Sequence, residues 1–361
     1  MKKRISLIVT ILFITTITTA FAVEGLRFSI TESKSLATAN SKQAAVDEMT
    51  IKTKESALKD AEKDANKSTG ANTKIDKLNN RIAKEVTTVK AAADLEYAKR
   101  VKEENIKKLE LEVYKATTNM LLVRKELEAE KGKLAILDEK YKMAEVSLRE
   151  GKLTENDLHD AKYALDLKSI DVNKVTNKLE AANLELKRVM GLEMNEDMIE
   201  IKDVLSLDSR AKIDIEKVVE NALNNDVELY IKSEELKASE KTMELTKEGY
   251  EQGTATYDGN MLNLENAKVD LEDAKVNLEV SIRNKYNDLL TAKDKVDLAY
   301  KWESINKNKL DNAEFKFEKG LVSKEEVLNA KEKYLDAQYQ TYLAIYNYNI
   351  VKAEFDTLYV K

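Results

Sequence analysis

The chain has 361 residues, of which 35% are charged, and it contains no proline, no cysteine and only 9 glycines. Its formal net charge of −6 argues against a nucleic-acid partner, because phosphates require a basic protein surface. Without cysteine there are no disulfides, and with a single histidine an ordinary zinc site is excluded. Since proline interrupts helices, its absence is typical of a protein built from long helices.

Residues 1–22 have the features of a secretory signal peptide. Basic residues at 2–4 precede an apolar stretch at 5–19, and Ala20-Phe21-Ala22 matches an A-x-A cleavage site. The apolar stretch is shorter than the ~20 residues of a spanning helix, which favours cleavage over an uncleaved membrane anchor. We therefore expect export to the cell envelope, either at the extracytoplasmic face or in the periplasm in association with an outer membrane.

The rest of the chain shows helical periodicity almost throughout. Apolar residues recur at steps of three, four or seven, which predicts narrow stripes of the coiled-coil type. One stripe comprises Leu127, Leu134, Leu137, Tyr141, Ala144 and Leu148, and another comprises Leu335, Tyr339, Tyr342, Tyr346, Ile350 and Ala353. Glycine and polar clusters divide the pattern and predict helices at 31–66, 74–150, 155–190, 215–250, 261–319 and 324–358. Residues 198–205 are expected to form a short strand or an extended connector.

The same order of motifs occurs twice, which predicts an internal duplication. ATAN at 37–40 corresponds to ALNN at 222–225, and GKLTENDLHDAK at 151–162 corresponds to GLVSKEEVLNAK at 320–331. The predicted organisation is a signal peptide at 1–22, a first helical hairpin repeat at 23–197, a connector at 198–213 and a second repeat at 214–361. Each repeat consists of a short helix, a gap, a long helix, a tight turn and a second short helix. The predicted fold is all-α, with little or no β structure.

Each hairpin turn has recognisable stop and start signals. Gly151 and Gly320 stand where a helix must end, and glycine adopts the left-handed conformation there without a steric penalty. Thr154 and Ser323 are predicted to cap the next helix. Asp157 and Glu326 follow three residues later, in the spacing of a capping box.

These repeated motifs resemble the TolC-like outer membrane efflux protein family over residues 26–361. The resemblance implies tandem long antiparallel hairpins with coiled-coil packing, in which two short helices lie beside each long one. It also implies that three copies form a twelve-helix tunnel. In the family the hairpin tips meet the hairpin of an adaptor protein, and the residues that correspond here are Gly151, Lys152, Leu153, Thr154, Gly320, Leu321, Val322 and Ser323.

The resemblance also implies a set of tunnel-mouth residues beside the tips. They are Asp157, Asp160, Glu326 and Asn329. The alternative interpretation is that the acidic members are N-terminal charges favoured by the helix dipole. The family's best-known acidic residue of this kind lies at the second tip, where this chain has Asn329.

One departure from the family concerns the gaps between the first short helix and the long helix of each half. Family members that span an outer membrane carry two transmembrane strands there, and each such strand needs ~9–11 residues. The gaps here, at 67–73 and 251–260, are too short and too polar. The sequence therefore predicts the helical tunnel without the strands of a membrane barrel.

The function expected from the resemblance is a passive conduit of an efflux or secretion system. Its expected partners are two further copies of the chain, a membrane-fusion-type adaptor and an inner-membrane pump. No catalytic, cofactor-binding or metal-binding residues are expected, because no phosphate loop, nucleophile elbow or EF-hand spacing is present. The alternative is a non-conducting envelope scaffold or adhesin-like coiled coil. We interpret His159 as a solvated tip residue and Trp302 as a packing anchor.

Overall fold

A computed structural model describes residues 26–67, 73–195, 197–208 and 213–360. The predicted signal peptide, residues 1–22, lies outside the described residues. The elements in chain order are β1 (Arg27–Phe28), α1 (Ile30–Ala39), α2 (Lys42–Asn66), α3 (Lys74–Ile82), a π-helical segment (Ala83–Thr87), α4 (Thr88–Arg149), α5 (Glu155–Met190), β2 (Glu200–Ile201), α6 (Ile215–Asn225), α7 (Val227–Gly249), α8 (Ala255–Glu318) and α9 (Lys324–Tyr359). The all-α prediction is confirmed, and the described β structure is one parallel pair of two-residue strands.

Two of the predicted helices are in fact divided near their beginnings. The helix predicted at 31–66 breaks after Ala39, because Ser41 caps a new helix by accepting a hydrogen bond from the backbone N–H of Ala44. The helix predicted at 215–250 breaks at Asp226, whose carboxylate accepts from the N–H groups of Glu228 and Leu229. Short polar side chains therefore start α2 and α7 where periodicity alone predicted continuity.

One other predicted boundary was wrong because a glycine does not always end a helix. The helix predicted at 261–319 begins six residues earlier, at Ala255, and Gly259 lies inside it. The helix predicted at 74–150 includes the π-helical segment. By contrast, the helix predicted at 155–190 has those bounds in the structure, and α9 ends one residue beyond its predicted end.

The helices form a layer that is four helices wide at both of its ends. We call the end at Gly151 and Gly320 the tip end, and the opposite end, where α2 leads to α3 and α7 leads to α8, the far end. At the tip end the order across the layer is α5, α4, α9, α8, and towards the far end it is α2, α4, α7, α8. The short helices therefore share the length of each long helix, as the resemblance implied.

The apolar stripe of α9 lies beside the one that the sequence predicted. From Ala337 onward one row of buried residues follows steps of four and three, and Asn349 is buried beside it. The row consists of Ala337, Thr341, Ile345, Tyr348, Lys352, Phe355 and Tyr359. The residues predicted as the stripe are only half-buried and flank this row. Because α9 packs on both α4 and α8, its apolar surface is wide, and periodicity alone does not identify its centre.

We call the region midway between the two ends the waist. There the connector covers the largest cluster of buried side chains. Asn183 of α5 donates to the carbonyl of Asp197 and accepts from the N–H of Ile199, and the buried Lys187 donates to the carbonyl of Asn195 at 2.9 Å. On α9, Asn349 binds the backbone of Ser206 and Asp208. Polar side chains thus satisfy the connector's backbone groups, which would otherwise be buried without partners.

Candidate functional site: hairpin tips and layer edges

The first hairpin tip ends α4 with a Schellman motif. Gly151 has φ +72°, the N–H of Lys152 donates to the carbonyl of Ser147 at 2.8 Å, and the N–H of Gly151 donates to Leu148 at 2.9 Å. The second tip has the same pair of bonds around Gly320, which has φ +69°. Both turns therefore form at the glycines that the sequence indicated.

The capping box that follows is complete at the first tip. The hydroxyl of Thr154 accepts from the N–H of Asp157, and the Asp157 carboxylate accepts from both the N–H and the hydroxyl of Thr154. These hydrogen bonds from Thr154 lower the pKa of Asp157 below its ordinary value. At the second tip the described bonds include one half of the box, from the N–H of Glu326 to Ser323.

The four predicted tunnel-mouth residues lie close to their tips with exposed side chains. Asp157 also has the capping role just described, which accounts for an acidic residue at this position without a role in a pore. Asp160, Glu326 and Asn329 lie within the first two turns of α5 and α9. His159 is exposed, as expected for a solvated tip residue.

The two tips differ in chemical character although their backbones match. At the first tip the Lys152 ammonium pairs with Glu150 at 2.7 Å. At the second tip the equivalent position is Leu321, which is 71% exposed, and Phe315 and Phe317 are exposed as well. The Lys319 ammonium lies 5.6 Å from the centre of the Phe315 ring. Sequence reasoning missed this exposed apolar group, although the repeat alignment places Leu321 opposite a lysine.

The two edge helices of the layer expose apolar stripes. On α5 the exposed large apolar residues are Tyr163, Leu167, Ile170 and Leu184, and on α2, at the same edge, they are Val46 and Met49. On α8 they include Leu262, Val269, Val276, Val280, Leu290, Leu298, Trp302 and Ile305. Most of the α8 stripe lies on the side away from α9, because the buried residues Leu289, Val296 and Leu310 lie on the opposite side of the helix. Leu298 and Trp302 lie at the margin of the stripe, beside α9.

The exposure of Trp302 corrects the expectation that it anchors the core. The side chain is 51% exposed and borders an open groove of about 720 Å³ between α8 and α9, whose walls include Leu298, Leu343 and Ile350. Sequence reasoning assigned this residue to the interior because tryptophan is usually well buried. With Leu298 it gives the groove an exposed apolar wall of the kind found at protein interaction sites.

The tyrosines of α9 are partly or fully buried in the packing of the layer. Tyr348 is buried, and burial raises the pKa of Tyr339 to about 12. The Lys125 ammonium lies over the ring of Tyr342, with its nitrogen 5.3 Å from the ring centre. Among the described residues there is no cluster of side chains that could hold a metal ion. In the same part of the chain, no helix is long and apolar enough to cross a bilayer.

No protein-family model matches the chain, and no curated protein matches it by sequence. Solved structures do match it in fold. A structure of CusC, described in terms of folding and transmembrane channel formation, is 13% identical with a TM-score of 0.67 over 92% of each chain. The CmeC outer membrane channel of Campylobacter jejuni is 12% identical, with a TM-score of 0.61 over 91% of this chain and 85% of CmeC. The outer membrane protein VceC of Vibrio cholerae is 10% identical, with a TM-score of 0.65 over 91% of this chain and 94% of VceC. The chain therefore has the fold of the TolC-like outer membrane efflux proteins, as its motifs suggested.

Proposed function

We propose that this chain is one subunit of an exported, homotrimeric helical duct in the cell envelope. The observation that carries the proposal is the pair of apolar stripes on opposite edges of one four-helix layer. A surface patch on one edge that fits a different patch on the other edge gives head-to-tail association, and such association closes a ring when the rotation permits. Three layers of four helices would enclose a tunnel of twelve.

The role proposed for the duct is passive conduction in an efflux or secretion system. It involves no chemical step, which agrees with the channels and outer membrane proteins named among the structures of similar fold. The two hairpin tips, 151–154 and 320–323, are the proposed docking points for a membrane-fusion-type adaptor linked to an inner-membrane pump. Asp157, Asp160, Glu326 and Asn329 would stand around the mouth beside them.

The test is the oligomeric state of the mature protein in detergent-free buffer. We expect mass measurement to give a trimer and negative-stain images to show a hollow cross-section. A stable monomer, or a solid bundle, would favour a non-conducting scaffold or adhesin-like coiled coil instead. Mass spectrometry of the exported form would test cleavage after Ala22, because the mature chain is then expected to begin at Val23.

A further inference from the structure

The apolar stripes on the two edges can be compared by their height above the tips. A rotation axis parallel to the helices keeps every residue at its own height, so residues that meet across a subunit boundary must have equal heights. Heights follow from the number of residues counted from Gly151 or Gly320 at 1.5 Å each. The ion pairs between Lys140 and Glu332 and between Lys115 and Glu354 show that the two halves of the layer are level with each other.

Between the tip end and the waist the two stripes match. Ile170 lies about 28 Å above the tips and Trp302 about 27 Å. Tyr163 and Ile305 lie at about 18 and 22 Å, and Leu184 and Leu290 at about 50 and 45 Å. Every exposed large apolar side chain on α5 therefore has an exposed apolar side chain of α8 within about 5 Å of its own height, less than one helical turn.

The match continues to the beginning of α2. Asn105 of α4 donates to the Asp47 carboxylate, which places this part of α2 about 69 Å above the tips. Val46 and Met49 are thus level with Val276, at about 66 Å, and close to Val269, at about 76 Å.

Beyond Met49 the match ends. From residue 50 to Asn66, α2 exposes no large apolar side chain, and its exposed positions are lysines, acids, Thr, Ser, Ala57 and Asn66. On α8, Leu262 is still 61% exposed at about 87 Å. An apolar side chain set against a solvated lysine-rich face gains little burial, so contact there contributes little to association.

We propose that a second copy of the chain covers the α8 stripe with α5 and the first turns of α2, forming a seam that runs from the tips to the waist and stays open towards the far end. This inference rests on the proposed trimer and specifies which surfaces of its subunits are in contact. The groove around Trp302 is then the place where Ile170 of the next subunit packs. The far end of the duct is held by contacts within each subunit rather than by contacts between subunits.

Paired cysteines test the seam cleanly, because the chain has no cysteine of its own. The full-length mature protein with Ile170→Cys and Trp302→Cys is treated with a short bismaleimide. The matched control carries Ala57→Cys and Leu262→Cys, which also lie on opposite edges at nearly equal heights beyond the seam. Circular dichroism and mass measurement confirm that both variants fold and show which of them associate.

We expect a ladder ending at a covalent trimer for the first pair and several-fold less cross-linking for the control pair. Equal cross-linking of both pairs would show an edge closed along its whole length and would overturn the open far end. A trimeric protein in which the first pair fails to cross-link would overturn the seam and leave the proposed duct standing. A protein that is monomeric by mass would overturn both.

Discussion

Asn40 fills the space into which a side chain at Gly191 would project. Its amide donates to the carbonyl of Met190 at 3.0 Å, and its Cβ lies 2.8 Å from the position that a Cβ on Gly191 would occupy. Gly191 has φ +67° and ends α5, and Asn40 ends α1, so the contact joins the end of α5 to the break between α1 and α2. The junction of α1, α2 and α5 therefore depends on a glycine for two separate reasons.

Gly191→Ala is expected to destabilise the protein more than Gly151→Ala. Both residues have positive φ, so each substitution costs about 1–2 kcal/mol in backbone conformation. A Cβ at Gly151 meets nothing within 4 Å, whereas a Cβ at Gly191 requires Asn40 to move. Urea unfolding of the two variants measures the difference, and equal midpoints would show that Asn40 adapts without cost.

Lys133→Ala is expected to cost about 2 kcal/mol, less than the ~3–5 kcal/mol lost on breaking a fully buried ion pair, because its partner Asp336 is half exposed. Its side chain is only 13% exposed, and it pairs with Glu130 on its own helix and with Asp336 on α9. Charged runs on a helix are usually solvated, but Lys133 is not, because α9 packs beside it. Lys142→Ala is the control, since its pair with Asp138 is exposed and is worth well under ~1 kcal/mol.

Acid should weaken the same cluster. Burial opposes ionisation of Glu130, but hydrogen bonds from Lys133 and Lys168 outweigh it and lower the pKa of the carboxyl. A lowered folded-state pKa contributes stability that is present above the unfolded value of about 4.3 and is lost as the pH falls through the folded value. The urea midpoint should therefore fall less, between neutral pH and a pH below 4, in Glu130→Gln than in the unsubstituted protein. An identical decline in both would assign the acid sensitivity to other carboxyls.

The emission of Trp302, the only tryptophan of the chain, should report assembly. Its half-exposed ring would lose water when a second copy covers the groove, so emission should shift to shorter wavelength as protein concentration rises. Ile170→Asp should abolish the shift by placing a charge in the seam, while Leu262→Asp should leave it unchanged. A shift that survives Ile170→Asp would mean that another surface covers the tryptophan.

Much of the helical framework could be predicted from sequence because its signals are local. Gly151, Thr154 and Asp157 determine a turn through their own backbone and side-chain bonds, and the structure places them as expected. The starts of α2 and α7 were missed, since Ser41 and Asp226 look like ordinary surface residues within a periodic pattern. Their capping role depends on the backbone conformation at these two residues, which apolar periodicity does not reveal.

The edges of the layer could not be derived from periodicity, for a different physical reason. An apolar stripe indicates that a helix face is covered, but it does not indicate whether the cover belongs to the same chain. Trp302 and Ile345 both lie in helical stripes, yet the first is half exposed and the second is buried. Only the packing order of α5, α4, α9 and α8 separates the two cases.

The short pairing of β1 with β2 constrains the order in which the chain can complete its structure. Arg27 bonds to Glu200, a partner 173 residues later, so the segment that emerges first during synthesis or translocation must wait for more than half of the polypeptide. Contacts so distant in sequence form slowly, because a long loop must close first. The waist would then complete its structure only after the connector has been made, and a chain truncated before residue 200 would lack the partner of β1.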